Sequence, residues 1–249
     1  MRSPGKPAPE SCYYISMDRI GKWFSSISPR ESIMFAAGVV VALAGLAIGR
    51  AIYNSQTPVP YQNAGITASW IPPTVRHWSP TINQMAKKYD IDPNLVAIIM
   101  TMESGGDPKA KSGAGAVGLM QITPLTAEDI AARRLKEPVK KYDLTNPTTN
   151  VEFGVAYLAY VRGLFGTASQ GPSWNNTVEL IGAGYNGGPG AAESLEAGKG
   201  LSDTQTVVYS RDAFNMWRER HTGDSLTFDR WKERGGSILL QNAQTDLSK

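Results

Sequence analysis

The sequence predicts a mainly α-helical domain that follows an N-terminal transmembrane helix. Residues 32–49 contain no charged residue, which is typical of a membrane span. In the region of about 81–233, helix start and stop signals recur and alternating strand patterns are scarce. The 249 residues leave room for one substantial domain with extensions, but not for two large domains.

The membrane anchor is expected at residues 32–50. As a helix, residues 32–49 would span about 27 Å against a hydrocarbon core of about 30 Å. Five basic residues precede this stretch and only Arg50 follows closely, which predicts a cytoplasmic segment at 1–31 and an extracytoplasmic remainder. A cleaved signal peptide is the alternative. The long basic region and the poor cleavage site around Gly49 and Ala51 favour an uncleaved anchor.

The rest of the chain divides into a linker, a domain and a tail. Residues 51–79 are rich in Pro, Asn, Gln, Thr and Ser, which predicts a semi-extended linker whose second half docks through Trp70 and Trp78. The domain is expected at 80–235, and the segment 236–249, which ends in polar residues, is expected to form a flexible tail. Helices are predicted at 81–89, 93–104, 124 or 125 to 135, 149–164, 178–185 and 205–219.

Composition excludes several classes of protein. The net charge of +3 is too small to suggest a nucleic-acid partner. The single cysteine, Cys12, rules out an intramolecular disulfide. His77 and His221 lie far apart and have no Cys partners, so neither a metal site nor a cofactor is expected.

Glu103 is the first candidate catalytic residue. Leu95, Ile99 and Glu103 are four residues apart in the predicted helix 93–104, so the carboxyl extends an apolar face. Burial raises the pKa of a carboxyl group, and a Glu that keeps its proton near neutral pH can protonate a glycosidic oxygen. A partly exposed Glu in the last helical turn is the alternative, and its position alone does not decide between the two.

Three motifs in this region resemble those of the soluble lytic transglycosylase family, whose catalytic domain is similar to goose-type lysozyme. Glu103-Ser104 resembles the family's catalytic Glu-Ser signature at a helix end. Residues 118–121, Gly-Leu-Met-Gln, resemble the second motif, and Tyr185-Asn186 resembles the third, although Gly184 stands where Ala is usual. The motifs occur in the right order and spacing, and the resemblance covers about 82–218.

The resemblance implies an enzyme that cleaves the β-1,4 bond between N-acetylmuramic acid (MurNAc) and N-acetylglucosamine (GlcNAc) in peptidoglycan. Glu103 would protonate the glycosidic oxygen and then accept the proton of the muramoyl C6 hydroxyl as that oxygen attacks C1. Because the nucleophile belongs to the substrate, the products would carry 1,6-anhydro-MurNAc ends and no water would be consumed.

The resemblance also implies substrate-binding residues around this acid. Met120 and Gln121 would line the sugar groove, and Ser104 would bind substrate or fix the adjoining backbone. Tyr185 would hold the catalytic carboxyl through its hydroxyl, and Asn186 of the same motif is a further candidate. Each assignment has a structural alternative, since Met120 and Tyr185 could be core residues and Ser104 a helix-end residue.

Two other functions remain open from the sequence. A lysozyme-like hydrolase on the same fold would need a placed water and usually a second carboxylate. Asp107, Glu128 and Asp143 are available, but no motif assigns that task to any of them. A non-catalytic peptidoglycan-binding scaffold would not need the acid.

The expected partners and location follow from the same reading. The partners are peptidoglycan glycan strands and the membrane, which residues 32–50 would span, and a cell-envelope machine is a further candidate. The catalytic domain would lie in the periplasm or the cell wall. The loop around Trp174 and residues 191–202 are predicted to gate the groove.

Overall fold

The computed structural model of the chain describes residues 65–136, 138–165 and 172–248. The expected cytoplasmic segment 1–31, the anchor 32–50 and the linker residues 51–64 lie outside these described residues. Within the described part, no helix has both the length and the apolar character that crossing a membrane requires.

The fold is mainly helical, as the sequence predicts. In the described residues the only strand-like pairings are two isolated bridges, both of which involve Val117. The part of the chain that the structure describes forms ten α-helices: α1 Pro73–Arg76, α2 Ser79–Tyr89, α3 Pro93–Ser104, α4 Pro124–Ile130, α5 Pro147–Leu164, α6 Pro172–Gly187, α7 Pro189–Glu196, α8 Thr204–Arg218, α9 Leu226–Trp231 and α10 Ser237–Leu247. Short π-helical turns extend α4 to Leu135 and join α9 to α10.

Helix α3 lies at the centre of the core, in contact with α1, α2, α8 and α10. It begins where the Asp92 side chain accepts a hydrogen bond from the backbone N–H of Asn94, and it ends at Gly105, whose φ of 63° is left-handed. Every residue of α3 except Glu103 is buried. A helix that is apolar on nearly all sides must be surrounded by others, and this explains the central position of α3.

Helices α6 and α8 pack closely against each other beside α3. Their close approach depends on Gly182, where a Cβ would lie 3.1 Å from the Cα of Ser210. Gly184 stands where the resemblance leads one to expect Ala. A Cβ there would collide with Cγ1 of Val161 on α5, so the space of the usual methyl group is already filled.

Residues 65–78, here called the N-terminal strap, are folded onto the domain. Ala68, Ile71 and Val75 of the strap are buried in the core. The indole Nε1 of Trp70 donates to the backbone oxygen of Glu219 at 2.9 Å. The expected docking of this segment is therefore present. The folded domain accordingly begins before residue 80, because these apolar side chains complete its core.

The C-terminal residues differ from the prediction of a flexible tail at 236–249. They form helix α10, which packs against α1 and α3. Ala243 is fully buried, and Leu239 and Leu240 pack against the core. The apolar residues of α10 cover the side of the molecule next to the end of α3, and the polar residues that end the segment gave no indication of this packing.

Helices α7 and α9 were also absent from the prediction. Helix α7 occupies Pro189–Glu196 and overlaps the first part of residues 191–202, which are predicted to gate the groove. Trp174 belongs to helix α6 and not to a loop. Gating by these residues stays a prediction.

Candidate active site

Glu103 lies in the last turn of α3 and is half-buried, whereas every other residue of that helix is buried. The Tyr209 hydroxyl, on α8, donates a hydrogen bond to Glu103 Oε1 at 2.5 Å. The carboxyl group is thus enclosed by neighbouring helices and held at one oxygen.

The pKa of the Glu103 carboxyl is raised strongly. Burial raises the pKa of its carboxyl from 4.5 to about 7, because the ionised form loses its hydration. The hydrogen bond from Tyr209 stabilises the ionised form and offsets part of this rise in pKa. At neutral pH the protonated and ionised forms are therefore present in comparable amounts, as a group that acts first as acid and then as base requires.

Tyr209 is a site residue that the sequence reasoning missed. Its pKa lies well above its usual value, chiefly because of burial and also because of the nearby Glu103 charge. The phenol therefore keeps its proton and donates to the carboxyl. One signal for Tyr209 exists in the sequence: it adjoins the buried face of α8, formed by Thr206, Ser210 and Ala213 at helical spacing.

Tyr185 makes a different contact from the one expected. Its hydroxyl donates to the backbone oxygen of Met120 at 2.8 Å, and Tyr209 makes the expected bond to Glu103 instead. Burial and the Glu103 charge raise the pKa of Tyr185 well above its usual value, which places the ring near the acid. Tyr185 thus ties the third motif to the second beside Glu103.

Ser104 connects the first motif to the second. Its hydroxyl donates to the backbone oxygen of Leu119 at 2.7 Å and accepts from the backbone N–H of Gly106 at 3.1 Å. The side chain is fully buried. Of the two roles expected for Ser104, these contacts correspond to fixing the adjoining backbone.

Met120 is fully buried and packs against Gly154 of α5, where a Cβ would lie 2.6 Å from the Met120 Cβ. This corresponds to the core alternative, so in this structure the Met120 side chain does not line an open groove. Its backbone N–H donates to Oδ1 of Asn150 at 2.8 Å. Asn150 is buried and was not singled out from the sequence, although it holds the second motif in place.

Gln121 has a left-handed φ of 45° and is half-buried. Its side-chain Nε2 donates to the backbone oxygens of Gly118, at 3.0 Å, and Ala110, at 3.2 Å. Both N–H groups are therefore engaged by the loop. From the sequence, the Gln121 amide is expected to offer both a donor and an acceptor to a sugar. Because the two hydrogen bonds occupy the donor Nε2, the acceptor Oε1 is the atom that stays available.

Asn186 lines a cavity of about 600 Å³ between the end of α6, helix α7 and the start of α8. The Asn186 Oδ1 and the Thr206 hydroxyl lie 2.9 Å apart. Asp203 also lines the cavity, and its carboxylate caps α8 by accepting from the backbone N–H of Thr206 at 2.7 Å. The remaining lining side chains are uncharged, which suits a neutral, hydroxyl-rich ligand.

The three other candidate carboxylates are occupied elsewhere or exposed. Asp107 is buried and accepts from the backbone N–H of Lys109 at 2.8 Å. Asp143 is exposed and bonded to Thr145, which lowers its pKa, and Glu128 is exposed on α4. Burial and Tyr209 are the two influences on the pKa of Glu103, and neither is a second carboxylate.

Comparison with known proteins places this site in a family. The sequence model for the transglycosylase SLT domain matches residues 80–207, slightly more than half of the chain. The chain is 37% identical over 145 residues to a membrane-bound lytic murein transglycosylase C from Actinobacillus pleuropneumoniae, covering 57% of this chain and 39% of that protein. It is 38% identical over 139 residues to a protein of the same name from Histophilus somni, covering 54% of this chain and 37% of that protein. The chain therefore spans well under half the length of these curated relatives.

Two solved structures are also similar. One is an inactive mutant of the lytic transglycosylase Slt from Pseudomonas aeruginosa, with a TM-score of 0.40 and 24% identity, covering 65% of this chain and 24% of that one. The other is the 70 kDa soluble lytic transglycosylase from Escherichia coli, with a TM-score of 0.39 and 25% identity, covering 66% of this chain and 27% of that one. The match of the family's sequence model to residues 80–207, which hold all three motifs, shows that the chain belongs to the transglycosylase SLT domain family.

Proposed function

We propose that this chain is a peptidoglycan lytic transglycosylase that cleaves the MurNAc–GlcNAc β-1,4 bond and leaves 1,6-anhydro-MurNAc ends. The observation that carries the proposal is the half-buried Glu103, whose carboxyl has a pKa of about 7. Membership of the SLT family and the names of the relatives support the same activity.

The first chemical step uses Glu103 as the acid. The Tyr209 hydroxyl donates to Oε1, so the proton to be transferred is carried by the other carboxyl oxygen. Glu103 gives this proton to the glycosidic oxygen as the bond to C1 of MurNAc breaks, and the GlcNAc hydroxyl leaves. The Tyr209 hydrogen bond then stabilises the carboxylate that has formed.

The second step uses the same carboxylate as the base. It accepts the proton of the MurNAc C6 hydroxyl while O6 bonds to C1, which closes the 1,6-anhydro ring and regenerates the acid. One carboxyl group therefore completes the cycle without water. A hydrolase normally relies on a second carboxylate, and the three candidates for it are hydrogen-bonded to their own loop or exposed, which favours transglycosylation.

Two features of the second and third motifs are suited to hold the glycan. Oε1 of Gln121 can accept a hydrogen bond from a sugar hydroxyl or amide. The cavity beside Asn186, at about 600 Å³, is large enough for an N-acetylated sugar and is lined mainly by uncharged polar groups. Ser104, Met120 and Tyr185 would support this site by fixing the backbone of the second motif.

The location of the enzyme completes the proposal. Residues 32–50 would anchor the chain in the membrane with residues 1–31 in the cytoplasm and the catalytic domain in the periplasm or cell wall. The names of the relatives include "membrane-bound", which supports an association with the membrane. A cell-envelope machine that needs a local opening in the wall is a candidate partner.

The test is mass spectrometry of the fragments that the full chain releases from purified peptidoglycan. We expect 1,6-anhydro-muramoyl ends from the wild type and from a Glu128→Gln control, which alters an exposed carboxyl, and none from Glu103→Gln. Reducing muramoyl ends would identify a hydrolase. Near-normal release by Glu103→Gln would refute the assignment of the acid.

A further inference from the structure

The turn that follows Glu103 is held by parts of the chain outside residues 80–207, the range that the family model matches. Gly105 and Gly106, which end α3, have left-handed φ values of 63° and 90°. Their carbonyl groups belong to the end of a helix, where backbone oxygens have no partner within the helix. Two side chains of the N-terminal strap supply partners for them.

Thr74 and Trp78 donate directly to this glycine turn. The Thr74 hydroxyl donates to the backbone oxygen of Gly105 at 2.6 Å. The Trp78 indole Nε1 donates to the backbone oxygen of Gly106 at 2.9 Å. The backbones of the strap and the turn are also close to each other, since a Cβ on Gly106 would lie 2.6 Å from the backbone oxygen of Thr74.

Helix α10 closes the other side of the turn. A Cβ on Gly105 would lie 2.9 Å from the backbone carbon of Leu239, so the two backbones are in contact. The turn is thus enclosed by the strap, by α10 and by the Ser104 hydroxyl that accepts from the Gly106 N–H. A displacement of the turn would move the last turn of α3, which carries Glu103.

We infer that Thr74 and Trp78 are positioning residues that keep the Glu103 carboxyl in register with Tyr209. This inference rests on the proposed function of Glu103. Tyr209 belongs to α8 and Glu103 to α3, so the 2.5 Å contact between them depends on where α3 ends. Catalysis is sensitive to such geometry, because a misplacement of about 1 Å can cost about 100-fold in rate.

The strap also provides a matched control. Trp70 donates an indole hydrogen bond of the same 2.9 Å length to the backbone oxygen of Glu219, away from the glycine turn. Trp70→Phe and Trp78→Phe therefore remove the same chemical group from the same segment. Thr74→Val removes the hydroxyl at nearly constant shape, whereas Thr74→Ser retains it.

The experiment measures kcat and KM of the full chain on soluble peptidoglycan glycan strands. Trp78→Phe and Thr74→Val should lower kcat about tenfold and leave KM within about twofold, as expected for misplacement of a reacting group. Thr74→Ser and Trp70→Phe should stay within about twofold of the wild-type kcat. Equal losses in Trp78→Phe and Trp70→Phe would overturn the inference and leave the strap with a role in stability alone.

A second measurement does not depend on turnover. The titratable groups that face Glu103 are Tyr209 and Tyr185, and both keep their protons near neutral pH. NMR titration of carboxyl-labelled Glu should therefore show the Glu103 pKa falling toward its ordinary value in Trp78→Phe, because a loosened turn admits water and burial influences this pKa more than the Tyr209 hydrogen bond does. An unchanged pKa in both Trp78→Phe and Thr74→Val would refute the inference. Wild-type chain without anhydro products would refute the proposed function, while this titration would still decide on the positioning.

Discussion

Replacing Glu103 by Gln should stabilise the folded protein at high pH and not at low pH. The variant keeps a side-chain oxygen that can accept from Tyr209, but it removes the charge that burial disfavours. In the wild type the pKa of the carboxyl is raised from 4.5 to about 7 on folding, so the folded state binds the proton more tightly than the unfolded state. Wild-type stability therefore falls as the pH rises from about 4.5 to about 7, and it does not change further through this group at higher pH.

The size of this pH-dependent difference in stability follows from the rise in the Glu103 pKa on folding. At about 1.4 kcal/mol per pKa unit, a rise from 4.5 to about 7 corresponds to an upper limit of about 3 kcal/mol. Because part of the penalty is already present at pH 5 and the side chain is only half-buried, we expect about 1–3 kcal/mol between pH 5 and pH 8. The free-energy difference between Glu103→Gln and wild type should grow by this amount over that interval.

Urea unfolding of both proteins at pH 5 and pH 8, followed by tryptophan fluorescence, measures this difference. Glu128→Gln is the control, because Glu128 is exposed and its replacement should give the same difference at both pH values. A Glu103→Gln difference that is also independent of pH would mean that folding does not raise the pKa of the carboxyl. The assignment of Glu103 as a protonated acid near neutral pH would then lose its physical basis.

Two further substitutions test the surroundings of this acid. Tyr209→Phe should lower kcat about tenfold, because the carboxyl loses its orienting donor. It should also move the alkaline limb of the kcat profile to higher pH, because the Tyr209 hydrogen bond lowers the Glu103 pKa; an unchanged profile would argue against the contact. Gly184→Ala should destabilise the protein by about 1–3 kcal/mol, since the new methyl collides with Val161. Urea unfolding should show the same substitution becoming stabilising in a Val161→Ala background, by up to about 1 kcal/mol of helix propensity.

The parts of the fold that could be predicted from the sequence depend on local patterns. Helix α3 was predicted with the bounds that it has, because Asp92 and Pro93 start it and Gly105 ends it, and each of these signals acts within a few residues. The apolar spacing of the same helix made a buried Glu103 one of two possibilities, but it did not exclude a partly exposed Glu in the last turn. Helix α10 was missed because the segment ends in polar residues and because its packing depends on a glycine turn more than 100 residues earlier in the chain.

The contacts of the active site could not be predicted in the same way. The bond from Tyr209 to Glu103 joins residues 106 positions apart, and no local pattern distinguishes this phenol from that of Tyr185. Both tyrosines are close enough to Glu103 for its charge to raise their pKa. Which of them meets the carboxyl depends on how the helices that carry them are arranged in three dimensions, because Tyr185 lies on α6 and Tyr209 on α8.

The division of work between the two tyrosines follows from what each hydroxyl can reach. Tyr185 donates its one proton to the Met120 oxygen, so it has none left for a carboxylate. Tyr209 donates its proton to Glu103 and so lowers a pKa that burial alone would raise further. Without Tyr209 the acid would hold its proton more tightly, and the carboxylate would form less readily in the first step. Burial and a single phenolic donor together therefore bring Glu103 to a pKa at which it can serve in both steps.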